Sequence, residues 1–343
     1  MIHYTVRLKA DPTDDARRKL ALLKTDRRGG PASAGPVRSG HNHRMRAVSL
    51  VMLLLLLAAP RPAHAWGFSA HKFVMDRAIA LLPGELRPFY EKHRAEVVER
   101  AIDPDTWIIA GWEEERPHHF VDMDSPGFGQ YPFNELPRDY TAALAKFGAP
   151  RMRDAGTLPW TAEEVYGSLR RAFEAYPRRG GFGPNAHLDV ILFSAWLAHY
   201  TSDGHVPLHG VANYDGQLTQ QWGIHSRWEA VLFERYVDRL MIAPKAIAPI
   251  GDPRTFLFNA LLQDTQLVPA LLKSDRDAIG DRDAYDDAYY ESLFAANRSV
   301  MERRLNDSIA AIAAMITGAW EAAGKPAMSV NLGSVPPQRR RRQ

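Results

Sequence analysis

Cysteine is absent from all 343 residues. With no disulfide and no thiolate ligand, packing and any nitrogen- or oxygen-ligated metal must hold the fold. Long apolar runs are nearly absent. The one that stands out, Val48–Ala59, falls short of the about 20 residues a membrane span needs. Strand-like alternation does not persist and no internal repeat recurs, which argues against sheets and solenoids. A basic surplus is missing from the body of the chain. Residues 1–65 hold 12 of the 43 Lys and Arg and 4 of the 40 Asp and Glu, leaving 31 basic and 36 acidic residues, net −5. Arg339–Arg342 form a basic tail, so the rest is more acidic still. No basic nucleic-acid footprint is visible.

What is present begins with an export signal. Met45–Ala65, MRAVSLVMLLLLLAAPRPAHA, combines the positive Arg46, the apolar run and an Ala63-His64-Ala65 cleavage pattern. Cleavage after Ala65 leaves 278 residues beginning at Trp66. The expectation is a secreted or periplasmic chain without a transmembrane anchor. Residues 1–44 are polar, Arg-rich and aperiodic, and read as an over-called, disordered extension. Residues 66–325 read as one domain and 326–343 as a disordered basic tail.

Within that domain the apolar period is helical. Helices are predicted over His71–Leu82, Leu86–Ile102, Leu188–Ser202, Ile224–Leu240, Phe256–Leu272 and Ala284–Ala323. Thr161-Ala-Glu-Glu164 reads as a capping box opening a helix to about Tyr176. Residues 125–160 read as a long ordered loop with one helix near Tyr140–Phe147, Arg178–Pro184 as a Gly-rich turn, and His205–Gly223 as a loop. The fold class is all-α, a single helical domain.

Nine histidines follow Trp66, and they cluster. In AHYTSDGHVPLHG, 198–210, His199 and Asp203 stand at i, i+4 on one helix face, and His209 follows a proline-containing turn. In GIHSRWEAVLFE, 223–234, His225 and Glu229 repeat the pair. Imidazole and carboxylate are the ligands zinc takes when thiolates are absent. Either pair alone is more often a surface ion pair. Two pairs on facing helices, with His209, make a metal site inside a bundle. A chain starting at Trp66 adds a chelate. Its free α-amine and own carbonyl close a five-membered ring on a metal, and His71 is one helical turn on.

The order W-G-x-x-x-H, P-D, H-F-x-D-x-D, H-x3-D-x5-H and H-x3-E, running from Trp66 to Glu229, resembles the zinc-dependent phospholipase C and S1/P1 nuclease superfamily. That resemblance implies a secreted helical domain holding three Zn2+ ions in a cleft. It places one ion on Asp105, His119, His199 and Asp203. It places a second on His209, His225 and Glu229, and a third on Trp66, His71 and a bridging Asp203. Asp103 and His118 compete with Asp105 and His119. The family's P-D and H-F motifs favour Asp105 and His119. His93, His118 and His187 read as solvated or structural, and His205 as supporting a ligand from behind.

The resemblance further implies phosphodiester hydrolysis by zinc-activated water, with Asp105 both ligand and orienter of that water. Phe120 and Asp122 match nuclease positions that stack and hydrogen-bond a base. The closing Glu229, Ile108 where the nucleases carry Arg, and the absence of cysteine favour the phospholipase branch. Trp107, Trp112, Phe128, Tyr131 and Phe133 are candidates for an apolar cleft or a choline-binding box, or simply pack the loop. The reading is therefore a phospholipase C-type hydrolase acting on phospholipid. A nuclease acting on single-stranded DNA or RNA is the alternative, and a non-catalytic protein with structural zinc the third reading. No stable protein partner is evident in the sequence.

Overall fold

Every regular element among the described residues is helical. The computed structural model describes residues 67–179 and 187–328. Trp66, the signal peptide, the extension before it, most of the Gly-rich turn and the basic tail beyond 328 lie outside the described residues. No helix among those described is long and apolar enough to cross a membrane.

Helix α1 (Phe68–Ile79) starts three residues before the predicted His71. The predicted helix Leu86–Ile102 is divided into α2 (Arg87–Lys92), α3 (Arg94–Glu99) and a 3-10 turn, Arg100–Ile102. The break falls at His93, whose φ of −106° and ψ of 17° leave helical space. Helix α4 (Asp103–Ile109) follows, with Pro104 in its first turn. Helix α5 (Tyr140–Phe147) lies as expected, capped by the Asp139 carboxylate on the Ala142 amide at 2.8 Å. Helix α6 (Ala149–Ala155) was not expected, yet Pro150 in its first turn and Gly156 after its last are readable start and stop signals.

Helix α7 (Leu158–Arg179) begins before the capping box, with Pro159 in its first turn. Thr161 is not the cap. It lies inside the helix, its hydroxyl donating back to the Thr157 carbonyl at 3.2 Å. Helix α8 (Leu188–Asp203) leads into a 3-10 turn, Pro207–Gly210. The stretch predicted as one helix from Ile224 is α9 (Ile224–Ser226), a π-helical turn Arg227–Val231, α10 (Leu232–Tyr236) and a 3-10 turn, Val237–Arg239. The predicted Phe256–Leu272 is two helices, α11 (Pro253–Thr265) and α12 (Val268–Ile279). Pro269 has no amide hydrogen for the Thr265 carbonyl, so α11 cannot run through it. Helix α13 (Asp287–Ala322) closes the domain, capped by the Asp286 carboxylate on the Tyr289 amide.

Helix α8 is the centre of the bundle, packed against α7, α13 and α1. Its sequence is apolar on most sides, and a strip through Asp189, Leu192, Phe193 and Trp196 is partly exposed. Every residue from Leu197 to Asp203 is buried. The second half of α13 is equally enclosed, with Ser308 to Trp320 all buried. His199 and Asp203 thus sit at the end of the most enclosed helix, where burying a polar side chain demands a partner.

Gly318 illustrates how tightly α13 is covered. The Ile250 amide donates to the Ala314 carbonyl at 3.0 Å, and Tyr166 donates to the Ile250 carbonyl at 3.1 Å. A Cβ on Gly318 would stand 2.0 Å from that carbonyl oxygen. In an open helix interior, Gly→Ala gains about 1 kcal/mol. Here Gly318→Ala is expected to lose stability instead, by about 1–3 kcal/mol as for other overpacked sites. Urea unfolding of the variant checks the sign.

Candidate metal centre

The end of α8, the start of α4, the 3-10 turn Arg116–His119 and α1 bring four predicted residues together around Asp203. His71, Asp105, His119, His199 and Asp203 are each buried. His119 Nδ1 lies 3.0 Å from His199 Nε2 and 3.6 Å from Asp105 Oδ1. Asp203 Oδ2 is 3.2 Å from His119 Nδ1 and 3.3 Å from His199 Nε2. His199 Nε2 is 3.9 Å from Asp105 Oδ1. The other Asp203 oxygen, Oδ1, faces His71 Nε2 at 3.5 Å, and Asp105 Oδ2 faces the same nitrogen at 3.8 Å.

A second group forms where the 3-10 turn Pro207–Gly210 meets the π-helical turn. His225 Nε2 is 2.9 Å from Glu229 Oε2 and 2.9 Å from His209 Nε2, and His209 Nε2 is 3.6 Å from Glu229 Oε2. All three are buried. Three buried groups among the described residues could therefore hold metal ions: His71 with His199 and Asp203, Asp105 with His119 and His199, and His209 with His225 and Glu229.

These spacings fit a cation. Four ligands about 2.0–2.1 Å from a tetrahedral zinc stand about 3.3 Å from one another. Among the described residues neither carboxylate oxygen of the buried Asp203 has a well-aligned hydrogen bond, and what faces them is imidazole nitrogen at 3.2–3.5 Å. Such an atom needs a compensating charge.

For three of the rings the chain also fixes which nitrogen is offered. Ser202 Oγ donates to the His199 carbonyl at 2.8 Å, so it accepts from His71 Nδ1 at 2.8 Å. His199 Nδ1 donates to the Ala101 carbonyl at 2.8 Å and His209 Nδ1 to the His119 carbonyl at 2.6 Å. A nitrogen that donates outward leaves the ring's other nitrogen bare and pointing inward. His119 is turned the other way, with Nδ1 inward and Nε2 3.6 Å from Glu115 Oε1. Glu115 accepts from the Tyr200 hydroxyl and lies 3.2 Å from His118 Nδ1. Burial raises the Glu115 carboxyl, but His118, His119 and Tyr200 outweigh it and hold it down at about 2. Glu115 and Ser202 were not among the expected residues. Glu115 had a signal, since it stands at i, i+4 to His119, the spacing used for the two ligand pairs.

The competing residues fall outside. Asp103 faces Arg100 and the Trp196 indole, both at 3.2 Å. His118 stays partly exposed beside Glu115. The His205 ring donates to the Thr201 carbonyl at 2.7 Å and packs on Phe256. Burial pushes its pKa down to about 3. Phe128 and Phe133 are buried in the core rather than lining a cleft. Trp107 stacks on Trp112, which is exposed, and Tyr131 is exposed beside Phe133. Trp66 lies outside the described residues. Its neighbour Gly67 is wedged against the π-helical turn, where an added Cβ would stand 2.9 Å from Ala230 Cβ.

Phe120 and Asp122 flank a stretch that pairs with the end of the 3-10 turn, through Val121 N to His209 O at 2.9 Å and Met123 N to Gly210 O at 3.1 Å. Phe120 lies over Gly156, whose Cβ would strike its carbonyl. Asp122 is half-buried and its Oδ1 has no hydrogen bond among the described residues. Burial, then the charge of Asp124, pushes its pKa up to about 7. Between about pH 4 and pH 7 the folded chain holds this proton and the unfolded chain does not, so stability falls as pH rises across that window. Asp122→Asn removes the slope. It is expected to add up to about 4 kcal/mol at pH 8 and little at pH 4, at matched zinc, in urea unfolding.

No protein family model matches the chain. No curated protein matches it either.

Proposed function

We propose that the chain is a zinc-dependent phosphodiester hydrolase of phospholipase C type, releasing a phosphorylated head group from phospholipid. The observation that carries this reading is the set of histidines whose outward nitrogens are tied to Ser202, Ala101 and His119, so that the inward ones converge on buried carboxylates. The assignment is Asp105, His119, His199 and Asp203 on one ion, His209, His225 and Glu229 on a second, and His71, Asp203 and the Trp66 amine and carbonyl on a third. Bound zinc would generate hydroxide near neutral pH and offset charge on the phosphate oxygens.

The residues around that chemistry have separate tasks. Asp105 is assigned the orientation of the attacking water. Ser202 and the two carbonyls keep the rings from turning. His209, His225 and Glu229 number only three, which leaves a position for water or substrate and favours a catalytic over a closed structural ion. Exposed apolar side chains lie on the elements that carry both groups. Ile109 ends α4 and Trp112 follows it, and Tyr214, Leu218 and Trp222 lie on the loop before α9. The Tyr214 ring stands edge-on to His225 at 5.8 Å. Such a rim suits an amphiphilic substrate. The second reading, a nuclease, is favoured by Phe120 and Asp122, one and three residues after His119.

The test is protein beginning at Trp66, loaded with zinc and given phosphatidylcholine and single-stranded DNA in parallel, with and without chelator. Chelator-sensitive head-group release supports the phospholipase reading, and chelator-sensitive DNA cleavage replaces it with the nuclease. Hydrolysis of neither, nor of a chromogenic phosphodiester, leaves a structural zinc protein. One added residue ahead of Trp66 is expected to lower the zinc content by one ion, counted by elemental analysis. An unchanged count removes the amine from the ligand set.

A further inference from the structure

The geometry points to one more metal site, formed by His93, Glu96 and His187, far from the centre around Asp203. His93 sits at the corner between α2 and α3, Glu96 in the first turn of α3, and His187 immediately before α8. The two imidazoles stack with centroids 4.5 Å apart and planes 20° from parallel. His93 Nδ1 is 4.0 Å from Glu96 Oε2. One ligand atom from each of the three residues lies within 4.8 Å of the other two. His187 Nδ1 is buried and has no hydrogen-bond partner among the described residues. The Phe89 ring backs His93 at 5.0 Å between centroids, limiting how it can turn away.

This site is distinct from the first. His187 and His199 are twelve residues apart along α8, roughly 18 Å at the helical rise. A tetrahedral ion would draw the three atoms from within 4.8 Å to about 3.3 Å of one another, turning the stacked rings towards it. Two imidazoles and one carboxylate select a borderline divalent ion such as zinc over calcium or magnesium. The side chains of His93 and Glu96 keep 14% and 34% of their exposure, so water completes the shell and the ion exchanges with solvent. An ion here clips the α2–α3 corner to the start of α8. His187 makes no side-chain cap of its own on that helix. The site would tether the N-terminal end of the helix whose other end carries His199 and Asp203.

The test uses the chain from Trp66 that already holds its tightly bound zinc. Further zinc is titrated and counted in the parent and in a His93→Gln/His187→Gln variant. The expected result is one additional equivalent in the parent and none in the variant, with unchanged circular dichroism. Equal uptake by both overturns the site. A readout on the unsubstituted protein guards against a misfolded variant. Diethyl pyrocarbonate modification of His93 and His187, mapped by mass spectrometry, is expected to slow roughly tenfold at zinc ten times its dissociation constant. Modification of both rings unaffected by zinc overturns the site. Neither measurement depends on whether the chain hydrolyses any phosphodiester.

Discussion

Asp203→Asn is expected to remove two zinc ions and to lower hydrolysis by about 10³-fold or more, the largest functional effect of any single substitution. The reason is position. One Asp203 oxygen faces His119 and His199 at 3.2 and 3.3 Å, and the other faces His71 at 3.5 Å. An amide offers one neutral oxygen, so it cannot serve both sides. Glu229→Gln provides the contrast. Glu229 faces His209 and His225 in the second group, so its loss is expected to release one ion. Stability should follow the ions. Each site filled at a thousandfold over its dissociation constant adds about 4 kcal/mol. Losing two sites lowers Tm by on the order of 15 °C in a domain of this size. Elemental analysis and a zinc-dependent thermal scan read both numbers. An Asp203→Asn protein that keeps its full zinc complement sinks the assignment.

Arg304→Ala is expected to give the largest loss of stability unrelated to metal. Arg304 and Asp264 are almost wholly buried between α13 and α11. Arg304 Nε is 2.8 Å from Asp264 Oδ1, and Nη2 donates to Oδ2 at 3.0 Å. Burial pushes the Asp264 carboxyl up to about 7 even against the pull of Arg304, so what charge it keeps depends on this two-pronged contact. Removing the guanidinium strands a carboxylate in the core, which costs about 3–5 kcal/mol. Replacing both residues with apolar ones of similar size, Arg304→Met with Asp264→Leu, should recover most of that loss, because no unpaired charge remains. Urea unfolding of the three variants separates the outcomes. A double variant as unstable as Arg304→Ala shows that packing volume, not charge, is what the pair supplies.

Much of the fold was legible in the sequence, for identifiable reasons. The 3.6-residue apolar period does not depend on context, so α1, α5, α8 and α13 lie close to where it places them. The errors fall at corners. His93 and Pro269 interrupt an apolar period that continues on both sides, so Leu86–Ile102 and Phe256–Leu272 each looked like one helix. The Asp105 and His119 positions were ambiguous by spacing, because Asp103 and His118 are adjacent competitors. Only the surrounding fold turns one of each pair inward. The partners that orient the rings were the hardest to foresee. The Ala101 and His119 carbonyls belong to the backbone and leave no mark in composition. Ser202 is one serine among many until α1 places His71 against it.

The Ser202–His71 contact spans 131 positions, and the His199 contacts to Ala101 and His119 span 98 and 80. The centre is therefore a late product of folding. No short segment contains it, and it does not exist until α1, the Arg116–His119 turn and α8 have docked. Until then the histidines are independent weak binders, open to whichever cation is most abundant. Which ion the centre would take is therefore set at the place and moment where the bundle closes.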